Sequence, residues 1–201
     1  MLLAFDTSSS ACTAALFDGG RCIARANELI GRGHAERLVP MIAELMNGAS
    51  ADQILVGVGP GSFTGIRVAI AAAHGLAIGW GAELTGMSSL ALLAAGAAGE
   101  GPVAAAVRGG HGELFVQQFD AASKPTSELR NLAPAEAAQV ITAKLVVGSG
   151  AEQLVSARGW GEGREVWPSA SNALSLLEAL RSLPPKPVYA RAPDARIPEA
   201  A

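Results

Sequence analysis

Apolar runs over residues 2–5, 11–17 and 22–28 are broken by the polar turns Thr7-Ser-Ser-Ser10 and Asp18-Gly-Gly20. They predict three short strands in a meander. Between 35 and 46, Leu38, Met41, Ile42 and Leu45 follow the i, i+3, i+4, i+7 template of an amphipathic helix. Pro40 either kinks that helix or marks its true start. A strand over 54–58, a helix over 64–80, a strand over 83–86 and an alanine-rich helix over 88–98 complete the order βββαβαβα. A meander followed by alternating strands and helices implies a mixed sheet whose parallel part is covered by helices. The breaker-rich stretch Gly96-Ala-Ala-Gly-Glu-Gly-Pro102 divides the chain into 1–100 and 101–201. Beyond it, strands over 103–107, 113–119 and 145–147 and helices over 134–142, 151–157 and 173–183 predict a smaller α/β unit. Five prolines between 184 and 198 predict an extended tail. No internal repeat is visible in the residues themselves.

The helix over 64–80 stands out because it has almost no polar face. Val68, Ala72, Gly75 and Gly79 lie on one side, Ile66, Ile70, Ala73 and Ala77 on another, and only Arg67 and His74 are strongly polar. Such a helix must be covered on both sides, either by the second unit or by a partner protein. It is launched by Gly59-Pro-Gly-Ser-Phe-Thr-Gly-Ile-Arg67, in which Ser62 or Thr64 can cap the first free N–H groups. A glycine-rich turn of this kind either holds an anion or brings two backbones close together. The Walker lysine is absent, Arg67 lies one helical turn inside, and the spacing of Gly59, Gly61 and Gly65 departs from the dinucleotide fingerprint. These features favour the structural turn.

Composition narrows the function classes. Half of the 201 residues are hydrophobic and 16% are charged, so the chain can bury a substantial core, and disorder is excluded overall. A net charge of −3 offers no basic excess for holding nucleic-acid phosphates alone. The first residues, Met1-Leu-Leu-Ala-Phe-Asp6, lack the pattern of a signal peptide, and the apolar span 66–80 is short for a membrane crossing and contains Arg67 and His74. A cytoplasmic protein without a membrane segment is expected. With Asp18 facing Arg21 and Phe17 facing Cys22, Cys12 falls opposite Asn27, and the two sulfurs lie on opposite faces as reduced, mostly buried thiols.

Asp6-Thr7-Ser8-Ser9 follows the first strand directly, which puts a carboxylate and several hydroxyls where phosphate or hydrated magnesium could be met, or where a tight turn is built. His34, His74 and His111 form no metal-binding pair, and the cysteines have no metal spacing. No Gly-x-Ser-x-Gly elbow accompanies Ser62. Gly148-Ser-Gly-Ala151 is a further strand, turn and helix junction, read as a tight turn that could touch a nucleoside in a nucleotide-binding fold.

Leu3-Ala-Phe-Asp-Thr-Ser8, Arg32-Gly-His-Ala-Glu-Arg-Leu-Val-Pro-Met-Ile42, Gly59-Pro-Gly-Ser-Phe-Thr-Gly-Ile-Arg67 and Gly86-Met-Ser-Ser-Leu90, in this order and spacing, closely resemble the bacterial TsaB (YeaZ) family. The resemblance covers residues 1 to about 95. The second half matches loosely, through Gly148-Ser-Gly-Ala151 and Val188-Tyr-Ala-Arg-Ala-Pro193.

The resemblance implies an actin/Hsp70-like ATPase (ASKHA) fold of two related α/β units with the second reduced. It implies a role in forming threonylcarbamoyladenosine on the tRNA adenosine next to the anticodon, as the non-catalytic partner of the paralogue TsaD, with the ATPase TsaE binding the pair. TsaD carries a metal-binding His-x-x-x-His where this chain has Met87-Ser-Ser-Leu-Ala91. ATP and a metal ion are therefore expected in the partner complex and none in the isolated chain, with Asp6, Thr7, Ser8 and Ser9 as the residues that would meet a nucleotide. The implied partner face comprises His34, Arg37, Leu38, Met41 and Leu45 on the first helix, Gly61, Ser62, Phe63 and Thr64 at the turn, and Arg67, Val68, Ala72, Gly75, Leu76 and Gly79 on the second. Homodimers through the same helices are implied as well. Two departures are a short connection at Asn47-Gly-Ala-Ser-Ala51 and Arg108 where many relatives have an acid, which counts against a metal-bound nucleotide in the cleft of this chain alone. The competing readings are an independent small-molecule kinase or ATPase of the same fold and a peptidase acting on the paralogue.

Overall fold

The computed structural model describes residues 1–189. Strands β1 (Leu2–Asp6), β2 (Ala11–Asp18), β3 (Arg21–Leu29), β4 (Gln53–Gly57) and β5 (Glu83–Met87) form a first sheet in the order β3-β2-β1-β4-β5. The meander pairs antiparallel, and β4 and β5 extend the sheet in parallel from β1. Helices α1 (His34–Met46) and α2 (Phe63–Trp80) cover one face, where Leu3, Phe5, Ile54 and Val56 meet Leu38, Met41, Ile66 and Ile70. Pro40 lies inside α1, so the helix does not begin there.

The second sheet contains β6 (Val103–Arg108), β7 (Leu114–Phe119), β8 (Arg130–Leu132), β9 (Leu145–Val147) and β10 (Glu162–Arg164), in the order β10-β9-β6-β7-β8. Read from its other end, that order is an antiparallel meander with two parallel strands added to the first strand. It is the topology of the first sheet. Helices α4 (Pro134–Val140) and α5 (Ala151–Arg158) occupy the connections that α1 and α2 occupy in the first unit, at 7 and 8 residues against 13 and 18. The chain thus contains a structural duplication, with the second copy reduced. Its residues do not display it, because a sheet path is maintained by burial pattern and turn chemistry rather than by side-chain identity.

Between the sheets lies α3 (Ser89–Ala95), whose Leu90, Leu92 and Leu93 join Ala4, Phe17 and Leu55 of the first sheet to Val103, Val107 and Phe119 of the second in one core. A helix apolar on all sides belongs in such a position. The C-terminal residues then cross back to the first unit. A 3₁₀ segment at Ala170–Ser175 and a short α6 (Glu178–Arg181) replace the continuous helix expected over 173–183. Ser88 N–H donates to the Leu180 carbonyl at 2.9 Å, and Gly86 and Leu183 exchange two backbone hydrogen bonds, which straightens the segment along β5. Of the proline-rich tail, residues 190–198 lie outside the described residues.

Other differences have simple causes. β8 and β10 are three-residue edge strands carrying Arg130, Glu162 and Arg164, so they lack apolar alternation. α4 stops before Thr142 because the N–H groups of Thr142 and Ala143 donate to the Gln118 side-chain carbonyl. A bulge between Leu16 and Phe17 keeps Phe17 opposite Cys22 but sets Cys12 opposite Glu28 rather than Asn27. Cys12 is buried, whereas Cys22 is exposed on the edge strand, contrary to the expectation of two buried thiols. Burial, reinforced by the Glu28 carboxylate, pushes the Cys12 thiol up to about 11. An aromatic disulfide reagent at pH 8 is therefore expected to titrate one thiol per native chain and two after denaturation. Two fast-reacting native thiols would contradict this burial.

Candidate docking face and interunit cleft

Two turns meet at the head of the first unit. The turn after β1 is held by the fully buried Asp6, whose Oδ1 accepts from Ser8 N–H and Ser8 Oγ–H, both at 2.7 Å, and whose Oδ2 accepts from Ser89 Oγ–H at 2.5 Å. The Ser89 hydroxyl in turn accepts from Gly59 N–H at 3.1 Å. The turn after β4 is laid directly against this loop. Ser62 N–H donates to the Ser8 carbonyl at 2.7 Å, and the Thr7 hydroxyl donates to the Gly65 carbonyl at 2.7 Å. Ser62, rather than Thr64, caps α2 by accepting from Gly65 N–H at 3.2 Å.

The glycines of the turn are explained by this contact. A Cβ on Gly65 would stand 1.9 Å from the Thr7 carbonyl oxygen, and one on Gly61 2.1 Å from that of Ser8. Between the two readings of the sequence, the backbone-against-backbone one describes the geometry. Neither oxygen of the Asp6 carboxylate is turned to solvent, and Thr7 is buried with it. Ser8 and Ser9 are the members of the Asp6 to Ser9 set that line the cleft between the units.

That cleft has a volume of about 1380 Å³ and is closed on the second-unit side by Arg108, Gly109, Gly110, Ser149, Glu165 and Trp167. Arg108 ends β6 as Asp6 ends β1. Its backbone N–H donates to Ser149 Oγ at 3.1 Å, and its guanidinium lies 3.9 Å from Glu165. At corresponding points of the duplication the cleft therefore has an enclosed carboxylate and an arginine. Among the described residues no three His, Cys, Asp or Glu side chains come together in a metal-binding cluster.

The start of α2 contributes Ser62, Phe63, Ile66 and Arg67 to this cleft, and beyond them the helix presents an open surface. Gly65, Ile66, Ala69, Ile70 and Ala73 are buried on the first sheet, and Val68, Ala72 and Leu76 flank that stripe half-buried. Ser62, Phe63, Thr64, Arg67, His74, Gly75 and Gly79 are exposed, and Ile78 is 84% exposed. The second unit does not cover this face, and His74 faces outward rather than into packing. By length and composition α2 could cross a membrane, but in this fold one of its sides is fixed to the sheet. On α1, His34, Leu38 and Met41 turn inward, since their spacing is the core stripe itself. Leu45 is half-buried, and the outward face of α1 is formed by Val39, Pro40 and Ala43. Arg37 bridges Glu28 of β3 and Glu44 of α1. Ile78 and Val39 were missed in the sequence, although Ile78 continues the helical stripe of Arg67, Ala71 and His74 at spacings of four, three and four.

The duplicated mixed sheets with a shared helical layer make this chain a member of the actin/Hsp70-like ATPase fold. Residues 27–159 match the family described as "TsaD: tRNA N6-adenosine threonylcarbamoyltransferase". Over 126 residues the chain is 37% identical to the Escherichia coli (strain K12) "tRNA threonylcarbamoyladenosine biosynthesis protein TsaB", covering 59% of this chain and 54% of that protein. The Haemophilus influenzae protein of the same name is 41% identical over 98 residues, 46% of this chain and 41% of its own length. The chain thus spans about half the length of these curated relatives or less. A crystal structure of an uncharacterized Pseudomonas aeruginosa protein "with similarity to peptidase YEAZ" superposes with a TM-score of 0.76 at 31% identity, over 94% of this chain and 99% of that one. "YeaZ from Pseudomonas aeruginosa" superposes equally well, at 0.76 and 28% identity, over 94% and 98%. The chain belongs to the TsaD-type family, in its TsaB (YeaZ) branch.

Two expectations follow from this geometry. Gly65→Ala forces a methyl group into the Thr7 carbonyl and should lower stability by about 1–3 kcal/mol in urea denaturation, whereas a neutral result would dissolve the close-contact account. Arg37 holds the Glu28 and Glu44 carboxyls below their ordinary value of 4.5 by hydrogen bonding. A lowered folded-state value contributes stability above the ordinary carboxylate range that is lost as pH falls through the folded values. Below about pH 4.5 the native chain should therefore lose stability more steeply than Arg37→Ala, measured as denaturation midpoint against pH.

Proposed function

We propose that this chain is the partner subunit of TsaD in the cytoplasmic complex that makes threonylcarbamoyladenosine on tRNA, and that it performs no chemistry alone. The observation that carries this reading is the open α2 face: an apolar helix fixed to its own sheet on one side and uncovered on the other. A surface of this type is stabilised by burial against a second protein. The names of the relatives supply the process, and the match to a TsaD family model supplies a paralogue with the same fold as the natural occupant. TsaE joins the pair in this reading, tRNA is met through the assembled complex, and a homodimer uses the same helices when the paralogue is absent.

The cleft supports assigning nucleotide and metal to the partner. Catalysis of phosphoryl transfer needs carboxylates that reach a metal ion and a base that reaches the acceptor. Here Asp6 is taken up by Ser8 and Ser89, and Glu165 stands beside Arg108. The kinase or ATPase reading rests on the remaining cleft and its glycine turns. Turnover separates the two: the purified chain should show no ATP hydrolysis above background, and robust hydrolysis without partners would reject the subunit reading. The peptidase reading has no nucleophile and base in contact in the described residues around Ser62, whose hydroxyl caps α2.

Docking is tested at Gly75, where a Cβ would meet nothing within 4 Å. Gly75→Asp should leave the stability of the isolated chain within about 0.5 kcal/mol. Burial of the new, unpaired carboxylate should weaken co-purification with the TsaD paralogue at least about 100-fold in affinity. Unchanged co-purification would overturn the docking reading.

A further inference from the structure

The C-terminal residues beyond α6 do more than close the fold. From Leu183 the chain runs along β5, Val188 N–H donates to the Val58 carbonyl at 2.9 Å, and Tyr189 arrives over the first turn of α2. There the guanidinium of Arg67 lies 3.7 Å from the centroid of the Phe63 ring and 5.9 Å from that of Tyr189, and the two rings are 5.7 Å apart. Arg67 Nε–H donates to the Tyr189 hydroxyl at 3.0 Å. One of the five guanidinium donors is thus used to fix the plane, and the terminal nitrogens have no carboxylate partner among the described residues. Phe63 and Tyr189 are 56% and 50% exposed and line the interunit cleft together with Arg67, so the stack stands where the α2 face meets the cleft.

We infer that this clasp presents Arg67, which has no carboxylate partner among the described residues, as an oriented cation where the docking face meets the cleft, and that the partner subunit answers it with a carboxylate. This rests on the docking reading proposed above. Aromatic stacking costs the guanidinium little of its charge while removing most of its freedom, and a planar fork held in this way favours a bidentate carboxylate over a point contact. A partner lacking that carboxylate must cover an arginine without a counterion, which is unfavourable. Arg67 therefore selects as well as binds. The α2 sequence contains no Asp or Glu between Phe63 and Trp80, so α2-on-α2 pairing of two copies brings Arg67 no acid from that helix. The segment ending in Tyr189 acts as a positioning element, because it touches Arg67 and holds its direction.

The test uses the full chain and the TsaD paralogue, with affinity and association rate measured at low and moderate salt for Arg67→Gln, Arg67→Lys, Tyr189→Ala and, as a control for docking itself, Gly75→Asp. Arg67→Gln should weaken the complex about tenfold or more and flatten the salt dependence of association. Arg67→Lys should keep the salt dependence but recover affinity only in part, since the fork is lost. Tyr189→Ala should weaken the complex with the salt dependence retained, and the homodimer mass should not fall in Arg67→Gln. Asp194 is the next carboxylate along the chain. Asp194→Asn should leave affinity unchanged, whereas tighter binding would mean that the chain supplies the carboxylate itself, against the proposal. Unchanged affinity and salt dependence in Arg67→Gln, with binding lost in Gly75→Asp, would overturn the proposal and leave the docking reading standing. Full binding by Gly75→Asp as well would remove both.

Discussion

The contact on which the rest of the molecule depends is the one between two backbones, where the start of α2 lies against the turn that follows β1. Ser62 and Gly65 exchange hydrogen bonds with Ser8 and Thr7, with no side chain between the two turns at Gly61 and Gly65. Buried backbone groups must be satisfied, and here each turn satisfies the other. Asp6 closes the arrangement from below by joining Ser8 to Ser89 at the head of α3. One carboxylate thereby links the sheet, the start of α2 and the helix shared by both units. The direction in which α2 leaves the sheet, and so which residues face outward, is fixed at that point.

This contact also determines what the cleft can do. In a duplicated fold the ends of the two central strands face one another, and a ligand between them meets whatever those ends present. On the first-unit side the acid is consumed in holding the turn, and on the second-unit side an arginine stands instead. The same bonds that make α2 a rigid platform withdraw the carboxylate from chemistry.

Much of this was legible in the residues. The meander, α1 and α2 follow from apolar periodicity, and the glycines of 59–65 were correctly divided between anion capture and backbone contact, with the missing lysine favouring contact. Periodicity also gives the inward stripe of α1, but a list of motif residues does not, which is why His34, Leu38 and Met41 are found in the core rather than on the partner side. The duplication was legible through the family resemblance alone, because it resides in strand order rather than in residue identity. β8, β10 and the break between Ser175 and Glu178 were hidden for a related reason: their conformation is imposed by neighbours, through edge pairing and through the bonds of residues 180 and 183 to the first unit. The clasp of Phe63, Arg67 and Tyr189 joins positions 122 residues apart in its hydrogen bond, a juxtaposition that no local pattern announces.

The proposed role places the working surface of this protein on the uncovered side of α2. Hydrogen exchange of the chain, alone and mixed with its TsaD paralogue, reads that most directly. Exchange should slow along residues 63–80 and on the outward side of α1, with the second sheet unchanged. Protection confined to the cleft walls at 107–110 and 165–167, with α2 exchanging as in the isolated chain, would contradict it.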